Sequence, residues 1–265
     1  MSGTPPGKQT SSSSSNQISR PVQRHLINVY LVLAAMLGLA AFGSTTGQPF
    51  GGNGVLETGV TIGSAMGVMT LRRGNMLRWA LLATYSLFSG MSLSALVTQF
   101  LYLDPSGTLL LGVLSAAMFI FLGLSASATL ANRRSMLYVG GMVGSLLALL
   151  AWTGLANLFL LRSPALFSAE LYLGLIAFSG YVVYDTQMIV ERASAGIMDI
   201  PGHAMDLFMD LFALFVRLAV ILLERESQNQ RGRRRGRRRD DDDDDDDSRN
   251  YSRRWRPSSS RRSRF

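Results

Sequence analysis

Residues 168–191 read SAELYLGLIAFSGYVVYDTQMIVE. Between Glu170 and Glu191 the stretch is apolar or small, until an aspartate at 185 and a glutamine at 187 interrupt it. Crossing the hydrocarbon core of a bilayer takes about 20 such residues in a helix. A 265-residue chain that is 48% hydrophobic but only 17% charged has the composition of an integral membrane protein. An ionisable group at that depth costs about 2.5–3.5 kcal/mol on insertion scales, so Asp185 is expected to face a partner or a cavity rather than lipid.

Segments of similar length and character recur on the N-terminal side, at 26–43, 55–71, 77–100, 108–130 and 137–160, and a seventh, 203–223, follows DIPG. The breaks between them carry turn chemistry: GQPFGGNG, RRGN, LDPSG, NRR and RSP. Because a helix satisfies its backbone hydrogen bonds within one segment, the expected class is all-α, a polytopic membrane protein with six or seven transmembrane helices in a compact bundle. The bundle, 26–223, balances its charges, whereas residues 1–25 carry +3 and residues 224–265 carry +5. Both tails read as disordered: the first is rich in Ser, Gly and Pro, and the second runs RGRRRGRRR into eight consecutive aspartates, Asp240 to Asp247. The first apolar stretch starts at Leu26 and is a membrane thickness long, which reads as an uncleaved first span rather than a secretory signal. With no cysteine, a disulfide framework and a thiolate metal site are excluded.

Loop charge sets the orientation. Lys8, Arg20 and Arg24 precede the first span, Arg72, Arg73 and Arg78 follow the second, and Arg133 and Arg134 follow the fourth, while the first and third loops have no basic residue. The positive-inside rule therefore places the N-terminus and the even-numbered loops in the cytosol. The seventh segment either crosses fully or re-enters, and the charge count of the tail favours the cytosol. Gly59, Gly63 and Gly67, spaced by four in the second span, are expected to admit a neighbouring helix closely. Trp79 and Tyr102 bracket the third span as interfacial anchors.

The chemistry concentrates in the C-terminal third. Asp206, Asp210 and Arg217 fall on one helical face, since residues four and eleven apart return to nearly the same angle. Asp185 lies six residues before Glu191, where its span leaves the membrane, and Asp210 lies seven residues after His203, where the next begins. At about 1.5 Å per residue both are roughly 10 Å from the same surface. Antiparallel helices joined by a short loop would bring the two carboxylates level. Sharing a dry site, they would hold one proton between them, and after losing it they would repel or accept a hard cation such as Ca²⁺ through oxygen. The competing reading is structural: each aspartate bonds a neighbouring backbone or Arg217, which serves as counter-charge. Glu57 and Glu170 are expected to be solvated at span ends, and His25 and His203 to flank segments at the interface. Two histidines do not support a zinc hydrolase.

These stretches resemble the Bax inhibitor family of multi-spanning membrane proteins. The likeness runs from about Leu114 to Glu226 through SATLANRRSMLYVGG, ELYLGL, GYVVYDTQMIVERASAG and HAMDLFMDLFALFVRLAVIL, and the pairing of YDTQ with H-x-x-D-L-F-x-D is its most specific feature. The resemblance implies a seven-helix bundle in which Asp185 pairs with Asp210, and Asp206 matches an aspartate found in some members. It also implies an endoplasmic reticulum membrane protein that restrains programmed cell death, associates with anti-apoptotic Bcl-2-type proteins and leaks calcium in a pH-sensitive way, with calcium as permeant ion and no cofactor. Bacterial relatives engage the pair with an arginine on the second helix; here that span has none before Arg72.

The arginine run is expected to meet anionic lipid headgroups. Without a folded reader domain it does not read as a nucleic-acid binder. Asn250-Tyr-Ser is a glycosylation sequon only on the lumenal side. Two other functions use the same residues. One is a non-conducting scaffold acting through partners; the other is an intramembrane aspartyl protease, whose Tyr-Asp element matches Tyr184-Asp185. Asp210, however, follows LFM rather than Gly-x-Gly. The expectation is therefore a protein that is not an enzyme.

Overall fold

The computed structural model describes residues 19–47, 54–130 and 136–254, with side chains described except at 130, 136–138, 161 and 230–254. Among the described residues the regular structure is helical: α1 (Arg20–Thr46), α2 (Val55–Thr70), α3 (Leu77–Ser92), α4 (Ser94–Leu103), α5 (Thr108–Leu130), α6 (Met136–Ala156), a π turn (Asn157–Leu161), α7 (Pro164–Ser194) and α8 (Ile200–Arg254). Local chemistry sets several of these ends. Ser163 caps α7 by accepting from the Leu166 N–H, and Pro164 follows at the first helical position, where its missing N–H costs nothing. Asp104 accepts the Leu109 N–H at 2.9 Å and the Ser106 hydroxyl at 2.5 Å, fixing the turn into α5. These bonds hold the Asp104 carboxyl below its ordinary range.

Five helical stretches among the described residues are long and apolar enough to cross a membrane: Arg20–Thr46, Leu77–Leu103, Thr108–Thr129, Val139–Leu160 and Pro164–Ser194. The expected third span is thus α3 and α4 together, broken at Leu93. Large apolar side chains such as Leu31, Phe119, Trp152 and Ile176 are exposed on these helices. Water would penalise such faces, and lipid does not.

α1 and α2 pack on α3, α5 and α6 pack on α7, and α1 also touches α7. α8 differs from the rest because it is buried on successive positions: His203, Ala204, Met205, Leu207, Phe208, Asp210, Leu211, Leu214 and Phe215 are all buried. The helix is thus buried over most of 203–221 despite its aspartates, with Met209 as its exposed position there. The seventh segment forms one continuous helix without a re-entrant reversal.

Two expectations change here. A Cβ at Gly67 would meet the side chain of Leu81, but Gly59 and Gly63 have nothing within 4 Å, so the four-residue ladder is not a packing seam. The close crossing lies elsewhere, between α1 and α3, where a Cβ on Gly43 would collide with the Leu87 backbone and one on Gly90 with the Ala40 backbone. The helix also continues past 224, where the tail was expected to lose structure, and reaches Arg254. Gln, Glu and Arg from 224 to 239 are good helix formers, and no proline intervenes before Pro257. The side chains of the arginine run, the aspartate run and Asn250 lie outside the described residues, as do residues 1–18 and the loop bearing Arg133 and Arg134.

Candidate functional site

The site is built on the antiparallel pair α7 and α8. As α8 steps through 206, 210 and 217, its partners on α7 step back through 192, 185 and 178. Asp206 is 3.9 Å from the Arg192 guanidinium. The carboxyls of Asp185 and Asp210 lie within hydrogen-bonding range of each other. Arg217 lies over the Phe178 ring at 4.2 Å and donates to its own helix at the Ala213 carbonyl, 3.4 Å away. Its guanidinium also occupies the space that a side chain at Gly174 would fill. The sequence-derived aspartates therefore meet across the helix pair as the depth argument expects. Arg217 does not serve as their counter-charge: it stacks on an aromatic face, and Arg192, two turns along α7 from Asp185, takes Asp206.

A bond between two carboxyls needs a proton on one of them, because two carboxylates have acceptors only. Asp210 is 4% exposed, and its Oδ2 is buried without a partner. Both carboxyls stripped of the proton offer hard oxygen ligands to a cation. Among the described residues no group of three or more His, Cys, Asp or Glu is arranged for a metal.

The remainder of YDTQ aims Asp185. Thr186 is within 3.2 Å of the Ser125 hydroxyl, and Gln187 Nε2 donates to the Ala128 carbonyl at 2.8 Å, both on α5. Thr186 and Gln187 thereby fasten one side of α7 to α5, which leaves Asp185 on the side facing α8. Tyr184 lies against Gly140 of α6, where a Cβ would touch its ring. The site thus draws on four helices.

Sequence reasoning missed a second polar cluster at the basic end of the bundle. Arg78, 3% exposed, makes two 2.8 Å bonds to the Asp199 carboxylate and a third, also 2.8 Å, from Nε to the Val68 carbonyl. Asp199 precedes α8 and accepts from the Gly202 N–H. Its burial works against its charge, but the Arg78 bonds outweigh burial and hold the carboxyl below the ordinary range. Beside it His25 of α1 and His203 of α8 share a 2.9 Å hydrogen bond, and both are buried. Only two histidines occur in the chain, 178 residues apart, and they touch. Glu57, expected in water, is 3% exposed with Oε1 unpartnered, and Glu170 Oε1 is likewise buried without a partner.

Comparison with known proteins now bears on identity. The family model described as "Inhibitor of apoptosis-promoting Bax1" matches residues 22–227. The chain belongs to the Bax inhibitor family. It is 36% identical to Bax inhibitor 1 of Arabidopsis thaliana over 215 residues, 81% of this chain and 86% of the relative. Against Bax inhibitor 1 of Drosophila melanogaster it is 32% identical, covering 80% of this chain and 87% of that one. For Bax inhibitor 1 of Bos taurus the identity is 32%, with 82% and 92% covered. The match extends ahead of Leu114 and takes in the first half of the bundle as well as the half that carries YDTQ.

Proposed function

We propose that this membrane protein is a negative regulator of programmed cell death, resident in the endoplasmic reticulum, that acts as a pH-sensitive calcium leak channel through Asp185 and Asp210. One observation carries the reading: the Asp185 and Asp210 carboxyls meet on antiparallel helices out of bulk water, and Asp210 Oδ2 is buried without a donor. In the protonated pair a single negative charge is delocalised over a hydrogen bond that ties α7 to α8. Removal of the proton leaves two anions that either separate or close on a hard cation, so occupancy by proton and by calcium is mutually exclusive. A site that holds its ion by two carboxyls binds weakly enough to release it, as conduction requires. Asp206 with Arg192 lies one turn closer to the basic end and sets the potential along the route. The resemblance supplies anti-apoptotic Bcl-2-type proteins as partners, and the arginine run at 231–239 supplies an attraction to anionic headgroups.

The test is calcium efflux from liposomes holding the purified full chain, measured between pH 5 and 8. Wild type should pass calcium with a pH-dependent rate, and both Asp210→Asn and Asp185→Asn should flatten that dependence. Flux with an unchanged pH profile in both variants would remove the pair from the mechanism. If no flux occurs while the protein still protects cells from death stimuli, a non-conducting scaffold is the correct description.

A further inference from the structure

At the basic end, on the far side of Asp206 from the acid pair, the turn before α3 and the loop before α8 enclose a pocket of about 340 Å³ lined by Arg73, Asn75, Arg78, Trp79, Asp199 and the backbone of 196–198. The pocket walls are unequal. Arg78 is fixed by its three bonds to Asp199 and Val68. Arg73 is 68% exposed and only approaches Asp199, at 3.9 Å. Arg78 holds both oxygens of the one carboxylate at 2.8 Å and Arg73 approaches it only at 3.9 Å, so two guanidinium charges share one carboxylate and the pocket wall carries a net positive charge. The rim carries exposed apolar side chains, Trp79 and Met198, and Met76 and Leu77 in the same turn are exposed as well. A basic recess under an apolar, tryptophan-bearing rim matches the boundary between headgroups and acyl chains.

We propose that this pocket binds the phosphate of an anionic lipid headgroup, with Arg73 as the principal contact. A planar guanidinium pairs with phosphate oxygens through two parallel bonds. Asn75 engages the Leu77 N–H through Oδ1, which leaves its amide N–H groups to donate. The exposed apolar rim selects a lipid over a free anion, since it would seat against acyl chains and gains nothing from a soluble phosphate. The pocket lies next to the Arg78–Asp199 pair that anchors the start of α8, so a bound headgroup would brace the helix that bears Asp206 and Asp210. The site is distinct from the arginine run after 230. It does not depend on the calcium reading.

Trp79 is one of three tryptophans and reports the pocket directly once Trp152 and Trp255 are changed to phenylalanine in the full chain. The protein is placed in phosphatidylcholine nanodiscs containing brominated-chain phosphatidic acid, with brominated-chain phosphatidylcholine as the comparison. The expected result is saturable quenching of Trp79 by the phosphatidic acid well above that by the neutral lipid. Arg73→Ala, a change at an exposed side chain, should weaken that affinity at least about fivefold. The tail is intact in both proteins and cannot produce the difference. Equal quenching by the two lipids, or an unchanged response in Arg73→Ala, would overturn the proposal. So would reversal of the quenching by millimolar inorganic phosphate, which would make the ligand a soluble anion.

Discussion

Replacing Asp199 by alanine is the sharpest test of how the basic end holds the bundle. The Arg78 side chain is 4% exposed and that of Asp199 13%, and the two bonds between them are 2.8 Å each. With the carboxylate removed, a buried guanidinium keeps only the Val68 carbonyl as acceptor. Stranding one member of a buried ion pair costs about 3–5 kcal/mol. Arg73 has the wrong sign to compensate. Asp199 retains some contact with water, which moves the cost toward the lower end, but the same change removes the acceptor for the Gly202 N–H, worth about 0.5–1.5 kcal/mol. The expected loss is therefore about 3–4 kcal/mol in equilibrium unfolding in mixed micelles. The double replacement Arg78→Met with Asp199→Leu removes both charges and should recover most of it, giving a coupling of at least about 2 kcal/mol in a double-mutant cycle. The pH dependence has a definite sign. A carboxyl whose folded pKa is depressed contributes stability above its unfolded value of 3.8, and loses it only as pH falls through the lower folded value. Asp199 also acts on His25 and His203, whose folded-state pKa values lie below 6.5, so the Asp199→Ala deficit should be constant between pH 7 and 8, where both are neutral. Additive single changes, or a deficit that varies across that interval, would refute the reasoning.

Four further outcomes follow from the geometry. Gly90→Ala should cost about 1–3 kcal/mol because its Cβ meets the Ala40 backbone, which has no rotamer to move, whereas Gly59→Ala should be neutral or slightly stabilising; thermal unfolding of the pair compares them. Thr186→Val removes the 3.2 Å contact to Ser125 and should cost about 0.5–1.5 kcal/mol, and in the liposome assay it should shift the flux less than Asp185→Asn does. Asp206→Asn loosens a 3.9 Å pair with partly exposed side chains, so its stability change should stay within about 1 kcal/mol while the calcium rate responds at low salt. Gly174→Ala should displace Arg217 from the Phe178 face, detectable as lowered unfolding stability that Arg217→Met partly restores.

How much of this was readable from the chain alone depends on whether the deciding interaction is local or long-range. Span positions were legible because apolar length is a property of consecutive residues, and Asp185 and Asp210 were legible because depth counts from the segment ends fix their heights. Height does not fix azimuth, which is why Arg217, on the same stripe as the aspartates, was expected to neutralise them and instead lies over Phe178. Arg78 and Asp199 are 121 residues apart and each resembles an ordinary loop charge, so no spacing betrays their contact. His25 and His203 were placed at the interface and given no partner for the same reason. The glycine ladder shows the reverse error. A regular small-residue spacing states that a helix could approach, but only the neighbour's position decides whether one does, and it does so at Gly67 alone.

The burial of α8 joins these observations. Between 203 and 221 α8 leaves little surface open on which to place charge, so the ionisable groups it carries there need partners on the helices around it. Asp206 finds Arg192, Arg217 finds an aromatic ring, and the loop acid Asp199 just ahead of the helix finds Arg78. Asp210 is the exception, because its partner is another acid. A structural role would be served better by any donor, such as the Arg192 two turns along α7 from Asp185, since an acid–acid contact holds only while a proton is present. On the proposed mechanism the α7–α8 contact depends on protonation, and a replacement of Asp210 by asparagine, which donates without titrating, is expected to abolish that dependence.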